Sequence, residues 1–352
     1  MKNSQEYIYI TLPKNISFSV FEALKNHVKY FESANYKVVY LSRSKSLEDD
    51  RIIYFDSVYS TINYLRKKKK GIIYGITVIE IIIAFLSNLF TSKKQIVFWV
   101  QGLIDEEDFL SKKKRYRYYI YNFLLKISLK IADKLVLVTS EMHRVLINKY
   151  NLCKTKDVLI LNCISRVKYD QSEKIKNSLC YIGGLSEWQN VDKILIFYNK
   201  LLKVKDDFTL YIATFNHSEA KQLINTFVEE QFKDKIKLIH VKEQEEVTSF
   251  LSKMEYGFLI RDNILLNNVA SPIKLAEYLS CGINPIISDS LVEFDKLIAK
   301  NECGVVIKNN NFDRAIDDLI NFTPNINKAI SLYNSFFERK TIVKEISDFL
   351  NK

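Results

Sequence analysis

Along the chain, short runs rich in Val, Ile, Tyr and Phe alternate with longer segments whose apolar residues recur every three or four positions. That is the pattern of parallel strands joined by crossover helices. Strands are predicted at 7–12 (YIYITL), 37–41 (KVVYL), 71–74 (GIIY), 95–100 (QIVFWV), 134–139 (KLVLVT) and 157–161 (DVLIL). A polar stretch at 165–178, SRVKYDQSEKIKNS, interrupts the alternation. It restarts at 179–183 (LCYIG), 208–213 (FTLYIA), 236–240 (IKLIH), 256–260 (YGFLI), 284–287 (NPII) and 304–307 (GVVI). From about 325 the tail reads as two helices with no strand to follow.

This pattern predicts an α/β protein of two doubly wound, Rossmann-like lobes, residues 1–165 and 166–335, with a helix at 336–352 crossing back to the first lobe. Ligands of such sheets sit beyond the carboxyl ends of the strands, so function is expected at strand-to-helix turns facing a cleft between the lobes.

The 352 residues are 47% hydrophobic and 26% charged, which excludes wholesale disorder. Lys and Arg number 52 against 41 Asp and Glu, a net charge of +11, which favours anionic partners without choosing among them. Five cysteines, spaced ten residues or more apart with no C-x-x-C, argue against a disulfide scaffold and a zinc site and fit a reducing cytoplasm. The N-terminal MKNSQEYIYITLP has no signal-like apolar stretch. The longest greasy run, 76–90, is 15 residues interrupted by Glu80 and too short to span a bilayer.

The sequence lacks G-x-G-x-x-G, Walker, H-E-x-x-H and G-x-S-x-G signatures, and also any D-x-D that would hold a divalent cation on a pyrophosphate. No metal or other cofactor is expected, and bound phosphates would fall to protein cations and helix ends. The informative segment is 261–289, RDNILLNNVASPIKLAEYLSCGINPIISD. Ser271 is a good N-cap and Pro272 suits the first helical position, so a helix is predicted through Lys274, Glu277 and Tyr278, closed by Gly282. A helix amino terminus attracts anions, and Lys274 in its first turn is unfavourable unless a phosphate offsets it. Glu277, about one turn on, is placed to accept hydroxyl hydrogen bonds from a ribose.

SPIKLAEYLSCGINPIISD resembles the S-P-x-K-x-x-E-Y-L-x-x-G-x-P-V-I block of glycosyltransferase family 4 and its relatives of GT-B fold. The resemblance implies that Glu277 binds the nucleotide ribose, and that Ser271, Pro272 and Lys274 lie near the donor diphosphate and sugar. LCYIGGLSEW at 179–188 is similar to the first strand and glycine turn of the family's donor lobe, with Gly183 and Gly184 allowing close approach. VFWVQGLIDEEDF at 97–109 is similar to an acceptor-lobe loop, and LVLVTSEMHRVLINKYNL at 135–152 to the strand and helix before the interdomain linker.

Two positions depart from the family's pattern. Val269 stands where members often carry a Glu for the donor sugar, and Glu187, Trp188, Gln189 and Asn190 stand where a diphosphate clamp of Arg and Lys is common. Arg261, whose guanidinium can grip two phosphate oxygens, is the expected substitute. The resemblance further implies transfer with retention, with no enzymic nucleophile, so Arg261, Lys274 and the Ser271–Pro272 helix start are expected to stabilise the leaving diphosphate. His27, Gln101, Gly102, Asp105, Glu106 and Glu107 are the acceptor-side candidates.

The function expected is transfer of a sugar from a nucleotide-sugar donor to a glycan or lipid-linked acceptor, in the synthesis of capsule, O-antigen or another surface polysaccharide. Basic runs at 67–70 (KKKK) and 112–117 (KKKRYR), beside Tyr118, Tyr119, Ile120, Phe123, Leu124 and Ile127, point to an anionic membrane surface. Solvated charge beside a core helix is the competing reading; on the membrane reading the enzyme is cytoplasmic and peripheral on the inner face of the plasma membrane. Two other classes compete: a GT-B nucleotide-sugar epimerase, and a basic nucleic-acid-binding protein, for which no recognisable binding motif is present.

Overall fold

The computed structural model describes residues 6–45 and 47–352, so the N-terminal reading lies partly outside the described residues. The chain divides into two compact units, 1–162 with 340–352, and 163–339.

The first unit runs β1 (Tyr7–Thr11), α1 (Phe18–Ser33), β2 (Lys37–Ser42), β3 (Ile52–Tyr54), α2 (Val58–Arg66), β4 (Ile72–Gly75), α3 (Val78–Asn88), β5 (Gln95–Val100), α4 (Ile104–Lys112), α5 (Arg115–Ile131), β6 (Lys134–Leu137), α6 (Ser140–Tyr150) and β7 (Asp157–Ile160). Its seven strands are parallel in the order β3-β2-β1-β4-β5-β6-β7. Central strands covered on both faces explain the near-continuous apolar runs in the sequence. β3 escaped the sequence reading because an edge strand of three largely exposed residues carries no apolar period. Hydroxyl caps start four helices: Ser17 accepts from Val20 N, Ser57 from Ser60 N, Thr77 from Glu80 N and Thr139 from Met142 N.

The second unit runs β8 (Ile175–Ile182), α7 (Val191–Val204), β9 (Thr209–Ala213), α8 (His217–Phe227), β10 (Ile236–Ile239), α9 (Gln244–Ser252), β11 (Met254–Leu259), α10 (Leu265–Asn268), α11 (Ile273–Ser280), β12 (Asn284–Ser288), α12 (Phe294–Asn301), β13 (Val305–Ile307), α13 (Phe312–Asn321) and α14 (Ile326–Leu332). Six parallel strands lie in the order β10-β9-β8-β11-β12-β13. The polar stretch 165–178 is anchored rather than free. Ser165 Oγ pairs with Ser280 Oγ at 2.7 Å, and Lys174 Nζ donates to Met254 O (2.8 Å) and Cys281 O (2.7 Å).

The last helix, α15 (Ile342–Asn351), belongs to the first unit. Its Ile342, Ile346, Phe349 and Leu350 join the core formed with Val28 and Phe31 of α1. Lys134 Nζ donates to the carbonyls of Phe349 and Leu350, a cation satisfying a helix carboxyl end.

Candidate functional site

In the second unit the strand order reverses between β8 and β11, which are neighbours in the sheet although β9 and β10 separate them in sequence. Such a switch point leaves a crevice beyond the strand ends. The glycine turn follows β8 there and Arg261 follows β11. The backbone of Arg261 is fixed on both sides: its N–H donates to Ser288 Oγ (2.7 Å) and its carbonyl accepts from Ser290 Oγ (3.0 Å). Arg261 is 9% exposed, and its guanidinium turns inward, where Nη2 donates to Gln189 Oε1 (2.7 Å) and Nη1 to Trp188 O (3.3 Å).

Lys274 converges on the same oxygen. Its Nζ donates to Gln189 Oε1 (2.8 Å) and Tyr181 Oη (3.1 Å) and stands 4.4 Å from the centre of the Tyr181 ring. Two cations thus share one neutral amide oxygen. Burial, then the nearby Arg261 charge, pushes Lys274 down to about 7. Burial also lowers Arg261. A site that depresses cations in this way stores affinity for an anion that neutralises both. Gly183, at φ +136°, passes directly under Lys274, whereas Gly184 has open space where a side chain would be.

The start of α11 differs from the sequence expectation by one residue. Pro272 is the cap, with ψ 124°, and the helix begins at Ile273. Ser271 Oγ is not a cap: it accepts from Cys163 N (3.0 Å), so the hydroxyl anchors the incoming chain instead. At the other end Gly282, φ +68°, closes the helix, with Ile283 N reaching back to Tyr278 O (2.9 Å).

Glu277 is 3% exposed, and its Oε1 accepts from Arg166 Nε (3.2 Å) and Nη2 (3.0 Å). Burial raises its pKa, and Arg166 followed by Lys274 opposes the rise. The sequence reading missed Arg166, Gln189 and Tyr181. Arg166 lies in the polar stretch between the lobes, and Gln189 in a turn where a neutral amide carries no chemical signature.

In the first unit the order reverses between β1 and β4. A cavity of about 470 Å³ opens beside this switch point, lined by Pro13 and Asn15 after β1, Thr77 after β4, Gln101 and Gly102 after β5, and Glu107 of α4. The Glu107 carboxylate lies against Gly102, and Gln101 Nε2 donates to Ile76 O (3.4 Å). Burial, then Asp105, raises Glu107.

The other acceptor-side candidates are placed elsewhere. Asp105 is fully buried and accepts from Tyr150 Oη (2.8 Å) and Asn122 Nδ2 (2.8 Å), tying α4 to α6 and α5. Glu106 pairs with Lys149. His27 is a core residue, bonded through Nδ1 to Tyr74 Oη (2.8 Å), packed 4.3 Å from Trp99 and pushed down to about 3 by burial, so it is neutral and out of reach of a substrate.

Two six- and seven-stranded parallel units of this kind define the GT-B fold, and solved structures agree over the whole chain. The pneumococcal O-GlcNAc transferase in complex with UDP and GlcNAc is similar with a TM-score of 0.71 at 10% identity, over 99% of this chain and 100% of that one. HepE of Anabaena in complex with UDP-glucose gives 0.67 at 10% identity over 98% and 99%. The lipopolysaccharide outer core galactosyltransferase WaaB, in apo form, gives 0.65 at 10% identity over 99% of each chain. No curated protein matches the sequence. Residues 166–331, nearly all of the second unit, match the family Glycosyl transferases group 1. The chain is a glycosyltransferase whose second unit is similar to the group 1 family.

Proposed function

We propose that the protein transfers a sugar from a nucleotide-sugar donor, held in the second unit, to a glycan or lipid-linked acceptor in the synthesis of a surface polysaccharide such as capsule or O-antigen. The observation carrying this reading is the convergence of Lys274 and Arg261 on Gln189 Oε1 at the switch point of the group 1 unit. A donor diphosphate displaces that amide oxygen and neutralises both cations. As the bond from anomeric carbon to phosphate oxygen breaks, negative charge grows on the leaving diphosphate. Lys274, Arg261 and the first amides of α11 are preorganised to meet it. Electrostatics of this kind needs no metal on the pyrophosphate and no enzymic nucleophile, in keeping with transfer that retains anomeric configuration.

Glu277 is assigned to the ribose hydroxyls, and the cavity holding Gln101, Gly102 and Glu107 to the acceptor. UDP-sugars are the donors to try first, since the pneumococcal and Anabaena neighbours carry UDP, GlcNAc and UDP-glucose. The enzyme works on the cytoplasmic side of the membrane that bears a lipid-linked acceptor. A thermal-shift screen with UDP, GDP, ADP and CMP and their sugars tests the reading: one nucleotide raises the melting temperature, and the shift disappears in Glu277→Ala. No shift with any of them, or a shift undiminished in the variant, refutes it.

A further inference from the structure

α5 carries two apolar faces. One is buried, through Leu125, Ser128 and Leu129. The other turns outward: Tyr116, Tyr119, Ile120 and Phe123, spaced by three, one and three residues, are 60%, 68%, 53% and 63% exposed. A surface helix of a water-facing protein ordinarily carries polar residues at these positions. α3 packs alongside, with Ser128 Oγ donating to Val78 O (3.3 Å); it too presents Phe85 and Leu86, and the fully exposed Phe90 follows its end. Large exposed apolar residues gathered on two neighbouring helices are of a kind that marks an interaction site.

The charge around it is mainly basic, although Asp108 of α4 pairs with Arg117 (2.7 Å) and Lys112 (3.6 Å). Residues 112–132 hold seven Lys and Arg and no acid, and residues 57–71 hold five and no acid. α2, which the second basic run follows, is joined to α3 by Arg66 Nη2 donating to Leu86 O (3.2 Å). Glu80, the one acid of α3, is buried against Arg43 (2.6 Å) and contributes nothing to the surface. Among the described residues no helix is long and apolar enough to cross a membrane.

We propose that the outward face of α5, with the exposed edge of α3, is a docking surface for an anionic lipid bilayer. Tyr119, Ile120 and Phe123 enter the interfacial layer, and the lysines at 67–70 and 112–114 meet the headgroup phosphates. Aromatic rings with a polar tip suit that layer, and clustered Lys and Arg are drawn to an anionic leaflet. A second copy of the chain is the poorer occupant, because it brings the same basic rim against itself. The inference deepens the proposed use of a lipid-linked acceptor. Its test reads binding without donor or acceptor, so it stands or falls separately from sugar transfer.

The full chain is sedimented with phosphatidylcholine vesicles with and without phosphatidylglycerol, alongside the triple variant Tyr119→Ser, Ile120→Ser, Phe123→Ser. These residues are exposed, so circular dichroism and melting temperature stay those of the parent. The expected result is at least about tenfold tighter binding to the anionic vesicles, weakened by salt, and a loss of about tenfold or more in the triple variant. Equal binding to both vesicles, or undiminished binding by the variant, overturns the proposal. So does a dimer of the parent in light scattering that the variant disperses.

Discussion

Gly183 and Lys274 occupy one space: a Cβ added at Gly183 would stand 2.5 Å from Lys274 Nζ and 2.7 Å from its Cε. With φ at +136°, the position is strained for any L-residue even if the lysine moves away. Gly183→Ala is therefore expected to lose about 1–3 kcal/mol of stability from backbone strain. It also displaces Lys274 from Gln189. Urea unfolding measures the first effect and nucleotide affinity the second; a variant as stable as its parent with unchanged affinity contradicts both.

Gln189 holds its two cations with a neutral oxygen. Gln189→Glu places a fixed anion there, nearly isosterically. The ligand-free protein becomes more stable, and the diphosphate must now displace a charge-assisted contact. Nucleoside diphosphate affinity falls roughly 10- to 100-fold, the equivalent of about 1.4–3 kcal/mol. Calorimetric titration decides it, and affinity equal to the parent's means that the anion does not bind where Gln189 Oε1 sits.

Lys274, at about 7, makes that affinity depend on pH. A bound diphosphate favours the ammonium, so binding takes up a proton above pH 7 and none well below it. Affinity is flat only between about pH 6, where the terminal phosphate ionises, and pH 7, and above pH 7 it falls by up to about tenfold per unit. In Lys274→Gln the slope vanishes. The same depression makes the unfolded chain bind more protons between pH 7 and the ordinary lysine range, so this residue's contribution to stability rises with pH in that window. A slope that survives the substitution assigns the proton elsewhere.

The alternation of apolar runs and helical periods was enough to place every strand but β3, because parallel strands covered on both faces write themselves as unbroken apolar runs. The Ser-Pro helix and Arg261 were visible as residue types. Their meeting on Gln189 was not, since a neutral amide in a turn carries no chemical signature. The acids of α4 were read together, yet successive helical residues point about 100° apart. Asp105 therefore faces α5 and α6, Glu106 faces Lys149, and Glu107 faces the cavity.

Glu277 and Arg166 make a testable pair. Because burial raises Glu277 in the folded state, its contribution to stability is lost as the pH climbs through and above the ordinary carboxylate range. Arg166 limits that loss. Arg166→Ala is expected to destabilise by about 1–2 kcal/mol near pH 8, a value reduced from that of a fully buried pair because the arginine side chain is partly in solvent. Near pH 5 the effect is smaller. Urea midpoints at the two pH values check the sign, and an equal loss at both removes Glu277 as its source.

Asp105 and Glu107, two residues apart, are expected to fail in opposite ways. Asp105→Asn presents an amide to Tyr150 Oη and Asn122 Nδ2, both of which donate to the native carboxylate. Mispairing buried groups of this kind costs about 2–4 kcal/mol, so the variant melts earlier. Glu107→Gln removes a carboxylate that burial already disfavours, so stability holds or rises slightly at pH 8. Sugar transfer, assayed with the donor that the thermal screen selects, drops in the glutamine variant because an acceptor hydroxyl loses its anionic partner in the cavity. The assay is run below the melting point of each variant, where Asp105→Asn retains transfer. Transfer unchanged in Glu107→Gln removes this cavity from the acceptor's path.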